Sequence, residues 1–205
     1  MKTLFLDGSH PDTLDIAADL LRRGELVAFP TDTVYGLGVH SQLPQAIEQL
    51  YVVKGRREEK GIPLLLADTD SLALVVTEVP EVARRLARAF WPGGLTLVLP
   101  KKPTVPAAVS REPTVAVRIP DHPLTLALIR KVGTPLATSS ANRSGKPSLT
   151  TAQEVRAVFD GRIAAIIDGG ETPGGVASTI VDCTTQPPRI LRVGAIPVEE
   201  ILPYL

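Results

Sequence analysis

The sequence predicts an α/β fold, a sheet with helices packed against it, and three observations carry that expectation. Short apolar runs alternate along the chain with segments whose apolar residues recur at helical spacing, the pattern of strand and helix layers built around one core. Gly24, Pro30, Gly55, the run Pro92-Gly93-Gly94 and Gly133 close successive segments, where such residues stop helices and open turns. A chain of 205 residues, 44% of them apolar, is long enough to bury one sizeable core. No repeat, low-complexity tract or linker breaks the pattern, so residues 1–205 are expected to form a single domain.

Leu14, Ala17, Ala18 and Leu21 share one helical face, and Gly24 follows as a C-terminal stop. Leu26 to Phe29 is an apolar run ended by Pro30, which reads as a buried strand. Ser41 is placed to cap a second helix carrying Leu43, Ala46, Ile47 and Leu50, which runs out at Lys54-Gly55. Pro63 to Ala67 is strand-like. Val82, Leu86 and Phe90 mark a helix from about Pro80 to Ala89, followed by a strand at Leu95 to Leu99. Thr114 to Ile119 alternates as a strand should, and Leu124, Ala127 and Leu128 belong to a helix ending at Gly133. A strand at Pro135 to Ser139, the polar loop SANRSGKPS, a helix near Ala152 to Phe159 and a strand at Ile163 to Ile167 come next. The turn DGGETPGG and strands near Ser178 to Asp182 and Ile190 to Val193 complete the order.

Composition narrows the function classes. The formal net charge is zero, which argues against a protein that binds nucleic acid over its whole surface. Cations are clustered locally, in KGRREEK (Lys54, Arg56, Arg57, Lys60), at Arg143 and Lys146, and at Arg189 and Arg192. If folding gathered them they would form an anion site. Cys183 is the sole cysteine and reads as a packed thiol at a strand end; His10, His40 and His122 lack metal-ligand spacing, so no metal site is expected. No run of about 18 or more apolar residues is present to span a membrane, and MKTLFLDGSH does not read as a signal peptide, so a cytoplasmic protein is expected.

Two polar loops follow apolar strands directly, TDTVYG after Phe29 and SSAN after Ala137. In open α/β sheets ligands bind beyond the carboxyl ends of strands, so these loops are candidate site walls; equally, their hydroxyls could satisfy backbone groups where a strand ends. KGRREEK likewise reads either as a solvated face of exposed ion pairs or as a phosphate contact. DGGETPGG contains neither a P-loop nor a GxGxxG pattern.

PTDTVYGLG, then Lys54-Gly55-Arg56, TVAVRIPDHP, SSANRSGKPS and STIVD, in this order and spacing, resemble the YrdC-like threonylcarbamoyl-AMP synthase family, over about residues 8 to 194. The resemblance implies a twisted mixed sheet of YrdC/RibB-like fold with a concave ligand-binding surface. It implies condensation of L-threonine, bicarbonate and ATP into threonylcarbamoyl-adenylate and pyrophosphate. The product would serve the N6-threonylcarbamoyladenosine modification of tRNAs reading ANN codons, through a downstream transferase complex. Thr33, Arg118, Thr138 and Ser178 match threonine-binding positions; Arg56, Lys60, Thr114, Ser140, Ser148 and Arg192 match positions that hold ATP. Lys54 and Asn142 belong to the family's K-x-R and S-x-N pairs, with Asn142 placed among the ATP contacts, and Lys54 and Arg56 are the expected catalytic stabilisers of phosphoryl charge. Mg²⁺ is expected to arrive on the ATP phosphates. Many members have proline after the K-x-R arginine, where this chain has Arg57, and the chain resembles the family's short, single-domain form. Two rival readings are a double-stranded RNA-binding module with a basic face, and a domain forming carbamoyl-adenylate.

Overall fold

The computed structural model describes residues 2–55 and 61–205. Among these residues ten strands form one mixed sheet: β1 (Leu4–Asp7), β2 (Val27–Phe29), β3 (Gly36–His40), β4 (Leu64–Leu65), β5 (Leu95–Pro100), β6 (Thr114–Arg118), β7 (Leu136–Ser140), β8 (Ala165–Asp168), β9 (Thr179–Asp182) and β10 (Arg189–Arg192). Their order across the sheet is β1-β8-β2-β3-β7-β4-β6-β5-β9-β10. The pairs β1/β8, β2/β8, β4/β6 and β5/β9 are parallel, and the other pairs antiparallel. The helices are α1 (Thr13–Arg22), α2 (Pro44–Lys54), α3 (Leu72–Val75), α4 (Glu81–Phe90), α5 (Pro123–Val132), α6 (Ala152–Phe159) and α7 (Val198–Ile201). Among the described residues no helix is long and apolar enough to cross a membrane.

The local signals act much as their chemistry dictates. Gly133 takes φ 84° and closes α5, and Thr151 with Glu154 forms a complete capping box at the start of α6. Ser41 does not cap α2. That helix begins three residues later, behind Leu43, with Pro44 supplying the pre-set φ of a first turn, and the Ser41 hydroxyl is buried with no partner among the described residues. The sequence does not signal β3, because Gly36-Leu37-Gly38 reads as loop. Its glycines are there for space: a Cβ on Gly38 would lie 2.7 Å from the Phe29 ring, and one on Gly36 2.9 Å from Thr138 Cγ2.

The pleat sorts the sheet into two faces. Leu37, Val39, Leu64, Leu95, Leu97, Leu99, Val115, Val117, Ala137, Ile166 and Val181 point one way, into a core completed by α2, α4 and α6. Val27, Phe29, Leu65, Leu136, Ala165 and Ile167 point the other way and are covered by Ala17, Ala18 and Leu21 of α1 and Leu128, Ile129 and Val132 of α5. Each fully buried Leu or Phe of this kind contributes about 1.5–3 kcal/mol. The α1–α5 layer covers only part of its face. Beyond Leu136 and Leu65 that face continues over β6, β5, β9 and β10, where Thr96, Thr114, Ala116 and Arg118 stand beside Val98 and Ile180.

Candidate active site

The uncovered part of the face is the floor of a cleft of about 620 Å³. Strand alternation builds the floor. Thr114, Ala116 and Arg118 of β6, Thr96 and Val98 of β5, Thr138 and Ser140 of β7, and Ile180 of β9 line it, while their odd-numbered neighbours in β5, β6 and β9 are buried on the opposite face. Register makes this one surface, because Val98 lies opposite Ala116, Thr96 opposite Ile180, and Ile180 opposite Arg192.

The loop 30–35 forms one wall. Thr31 Oγ1 donates to the Val34 carbonyl at 2.6 Å, accepts from the Thr33 and Val34 amides at 3.2 and 3.3 Å, and lies 3.0 Å from Thr33 Oγ1. The Tyr35 hydroxyl donates to the Gly170 carbonyl at 2.8 Å and accepts from Gly169 N–H, tying this loop to the DGGETPGG turn. Burial pushes the Tyr35 hydroxyl pKa up to about 12. Gly174 of the same turn lies so near the loop that a Cβ there would stand 2.8 Å from the Asp32 carbonyl oxygen.

Arg118, 6% exposed, is the centre of the charged part. Its Nε donates to the Gly93 carbonyl at 2.8 Å, Nη1 to Thr33 Oγ1 at 3.0 Å and Nη2 to Asp32 Oδ1 at 2.6 Å. Burial pulls the Arg118 pKa below its ordinary value; Asp32 opposes that pull and the charge of Arg192 adds to it. Two guanidinium groups therefore bear on one cleft, the electrostatics of an anion site. On the opposite side Arg192 donates through Nε and Nη2 to the Ser178 carbonyl at 3.0 and 2.7 Å, and through Nη2 to Ser178 Oγ at 3.1 Å. Ser178 Oγ lies 2.8 Å from Thr96 Oγ1.

The fold brings Thr33, Thr114, Arg118, Thr138, Ser140, Ser178 and Arg192 to the lining of this cleft. Lys54, Asn142 and Ser148 are not among the lining residues. Lys54, expected to face ligand, is 3% exposed, and its ammonium donates to the Ser140 and Asn142 carbonyls, the latter at 2.6 Å. Its own carbonyl accepts from Ser144 N–H at 2.9 Å. Asn142 Nδ2 donates to the Arg143 and Lys146 carbonyls at 2.9 and 2.7 Å, while its Oδ1 is buried with no partner among the described residues. These two residues thus brace the loop that follows β7. Ser148 is half-buried on that loop. Arg56 and Lys60, with Arg57, lie outside the described residues. Thr31, Tyr35 and Thr96 also line the cleft and were not singled out as ligand-binding positions. Thr96 was findable from the alternation in LTLVL, but only once the face of β5 was known. Cys183 is buried, and burial together with Asp182 pushes its thiol up to about 12, a packed thiol as expected.

A cleft that carries hydroxyls and two guanidinium groups, one of them paired with Asp32, on the uncovered part of a mixed sheet places this chain among α/β proteins with a ligand-sized cleft on one sheet face. A family model described as Telomere recombination, the Sua5/YciO/YrdC domain, matches residues 19–194, and the chain belongs to this family. Threonylcarbamoyl-AMP synthase of Bacillus subtilis is 49% identical over 187 residues, covering 90% of this chain and 54% of that protein. The Pyrococcus abyssi protein of the same name is 48% identical, covering 91% and 55%. That of Vibrio cholerae is 38% identical, covering 89% and 98%. This chain therefore spans about half the length of the first two relatives. A crystal structure of P. abyssi Sua5 complexed with L-threonine matches with a TM-score of 0.95 at 43% identity, over 100% of this chain and 61% of that one. Escherichia coli YciO shares the fold, with a TM-score of 0.87 at 24% identity over 100% of this chain and 99% of that one.

Proposed function

We propose that this chain is a threonylcarbamoyl-AMP synthase, converting L-threonine, bicarbonate and ATP into L-threonylcarbamoyl-adenylate, pyrophosphate and water, and that residues 1–205 form a single YrdC-like domain. The observation that carries this reading is convergence. Thr33, the pair Thr114 and Arg118, the pair Thr138 and Ser140, Ser178 and Arg192 come from five separate segments and line one cleft. The Bacillus subtilis and Pyrococcus abyssi relatives, both threonylcarbamoyl-AMP synthases, point the same way.

In this reading the neutral amine of threonine captures carbon dioxide or bicarbonate, and an oxygen of the resulting carbamate attacks the α-phosphorus of ATP in line with departing pyrophosphate. Negative charge grows on phosphoryl oxygens, so the tasks left to the protein are positioning and electrostatic stabilisation. Arg118 takes the threonine carboxylate, for which a planar fork is suited, with the hydroxyls of Thr33, Thr138 and Ser178 around the amino acid. Thr114, Ser140 and Arg192 hold the nucleotide, joined by Ser148 and by Arg56 and Lys60 of the K-x-R segment; Lys54 and Asn142 support them from beneath the loop after β7. Mg²⁺ comes with ATP and is held chiefly by phosphate oxygens and water; Glu112 is the one carboxylate among the described residues of the cleft lining. The adenylate passes, in the cytoplasm, to the transferase that modifies tRNAs reading ANN codons.

The test is pyrophosphate release by the purified protein. It is expected only when ATP, L-threonine and bicarbonate are all present. Equal release without threonine, or release that needs carbamoyl phosphate in place of threonine and bicarbonate, would overturn the proposal.

A further inference from the structure

Asp32 stands in the middle of the loop 30–35 yet is not among the cleft-lining residues. Its contacts give it a different connection to the site. One oxygen, Oδ1, accepts from Arg118 Nη2 at 2.6 Å and from Asp121 N–H at 3.0 Å, so it grips the segment 118–121 at both ends. The two side chains of the pair are 7% and 15% exposed, for Arg118 and Asp32 in that order. The guanidinium is thus held at all three of its nitrogens, by the Gly93 carbonyl, the Thr33 hydroxyl and the Asp32 carboxylate. A fork anchored this way cannot turn about its long side chain, and its plane is set before a ligand enters. Of the three acceptors only Asp32 is charged, which makes it the strongest of the anchors.

We infer that Asp32 is a positioning residue for the proposed reaction. It fixes the Arg118 guanidinium so that the N–H groups not taken up by the wall meet the threonine carboxylate, with the Thr33 hydroxyl alongside. This role rests on the assignment of Arg118 to the threonine carboxylate made above. A purely structural Asp32, fastening loop 30–35 to the start of α5 through Asp121, makes a different prediction. It would affect both substrates and the stability of the fold together, whereas a positioning residue acts on threonine selectively.

The experiment compares wild type with Asp32→Asn, Asp32→Ala and Asp32→Glu in threonine-dependent pyrophosphate release, with separate KM values for threonine and ATP. Threonine binding by calorimetry and thermal unfolding are measured alongside. Asp32→Asn is the deciding variant, because the amide oxygen can still accept from Asp121 N–H while the negative charge that faces the Arg118 guanidinium is lost. Its threonine KM and threonine Kd should rise on the order of tenfold, with ATP KM and unfolding temperature close to wild type. Asp32→Ala should be worse, and Asp32→Glu should recover part of the loss. An unchanged threonine KM in Asp32→Asn, or a parallel rise in both KM values with a lower unfolding temperature, would overturn the positioning role. A wild type that releases pyrophosphate without threonine would remove the proposed function itself, and that result is read before any variant is made.

Discussion

At Thr33 two readings of the same residue hold together. The run PTDTVYG could be a turn that satisfies its own backbone or a wall that holds a ligand, and the hydrogen bonds of Thr31 to residues 33 and 34 make it the first. Such a closed turn is also rigid. It delivers the Thr33 hydroxyl to Arg118 Nη1 at 3.0 Å, on the cleft side. Thr33→Val keeps the shape and deletes the hydroxyl. It should raise the threonine KM on the order of tenfold, while costing no more than about 1–2 kcal/mol of stability, the worth of one or two hydrogen bonds; kinetics and urea unfolding of the same preparation check both halves. A loss of stability alone would return Thr33 to a structural role.

The strands show why a period of two residues carries so much of the function. Along β5, Leu95, Leu97 and Leu99 enter the core while Thr96 and Val98 face the cleft; along β6, Val115 and Val117 enter the core while Thr114, Ala116 and Arg118 face the cleft. Substitutions one residue apart should therefore fail in different ways. Leu97→Ala leaves a hole between Val117 and Val181, its register partners, and should cost about 2–5 kcal/mol with turnover retained at permissive temperature. Ala116→Phe projects into the cleft and should abolish turnover with little change in unfolding temperature. Helix α2 acts at longer range through its last residue. Because the Lys54 ammonium donates to carbonyls on either side of Ala141, Lys54→Met should raise the ATP KM and speed hydrogen exchange across residues 141–148. A fall in kcat of the order of 10²-fold with exchange unchanged would instead assign Lys54 to the phosphates directly.

Across the molecule, the cleft exists because α1 and α5 cover only the part of one sheet face around β8, β2, β3, β7 and β4, and leave β6, β5, β9 and β10 bare on that side. This fits the composition of those strands, in which cleft-facing Thr96, Val98, Thr114, Ala116, Arg118 and Ile180 alternate with core-facing leucine and valine. Most helices and strands were legible in the chain, since α1, α4, α5 and α6 are amphipathic segments with clear stops and β5 to β9 are short apolar or alternating runs. β1, β3 and the four-residue helices α3 and α7 were not: β1 lies at the edge of the sheet with mostly exposed side chains, the glycines of β3 make sense only beside Phe29 and Thr138, and a single turn is too short to show a helical period. The motifs that marked candidate ligand positions were likewise readable, because residue types and order survive in one dimension. Which of them meet was not. Thr33 and Arg118 are 85 positions apart, and Lys54 reads the same whether its ammonium faces phosphate or a carbonyl. Local propensity and pattern are properties of neighbouring residues, so the chain alone settles most of the elements and the chemistry available. Register, face and helix coverage depend on contacts between distant segments, and these decide that Asp32 grips Arg118, that Lys54 lies beneath a loop, and where the cleft opens.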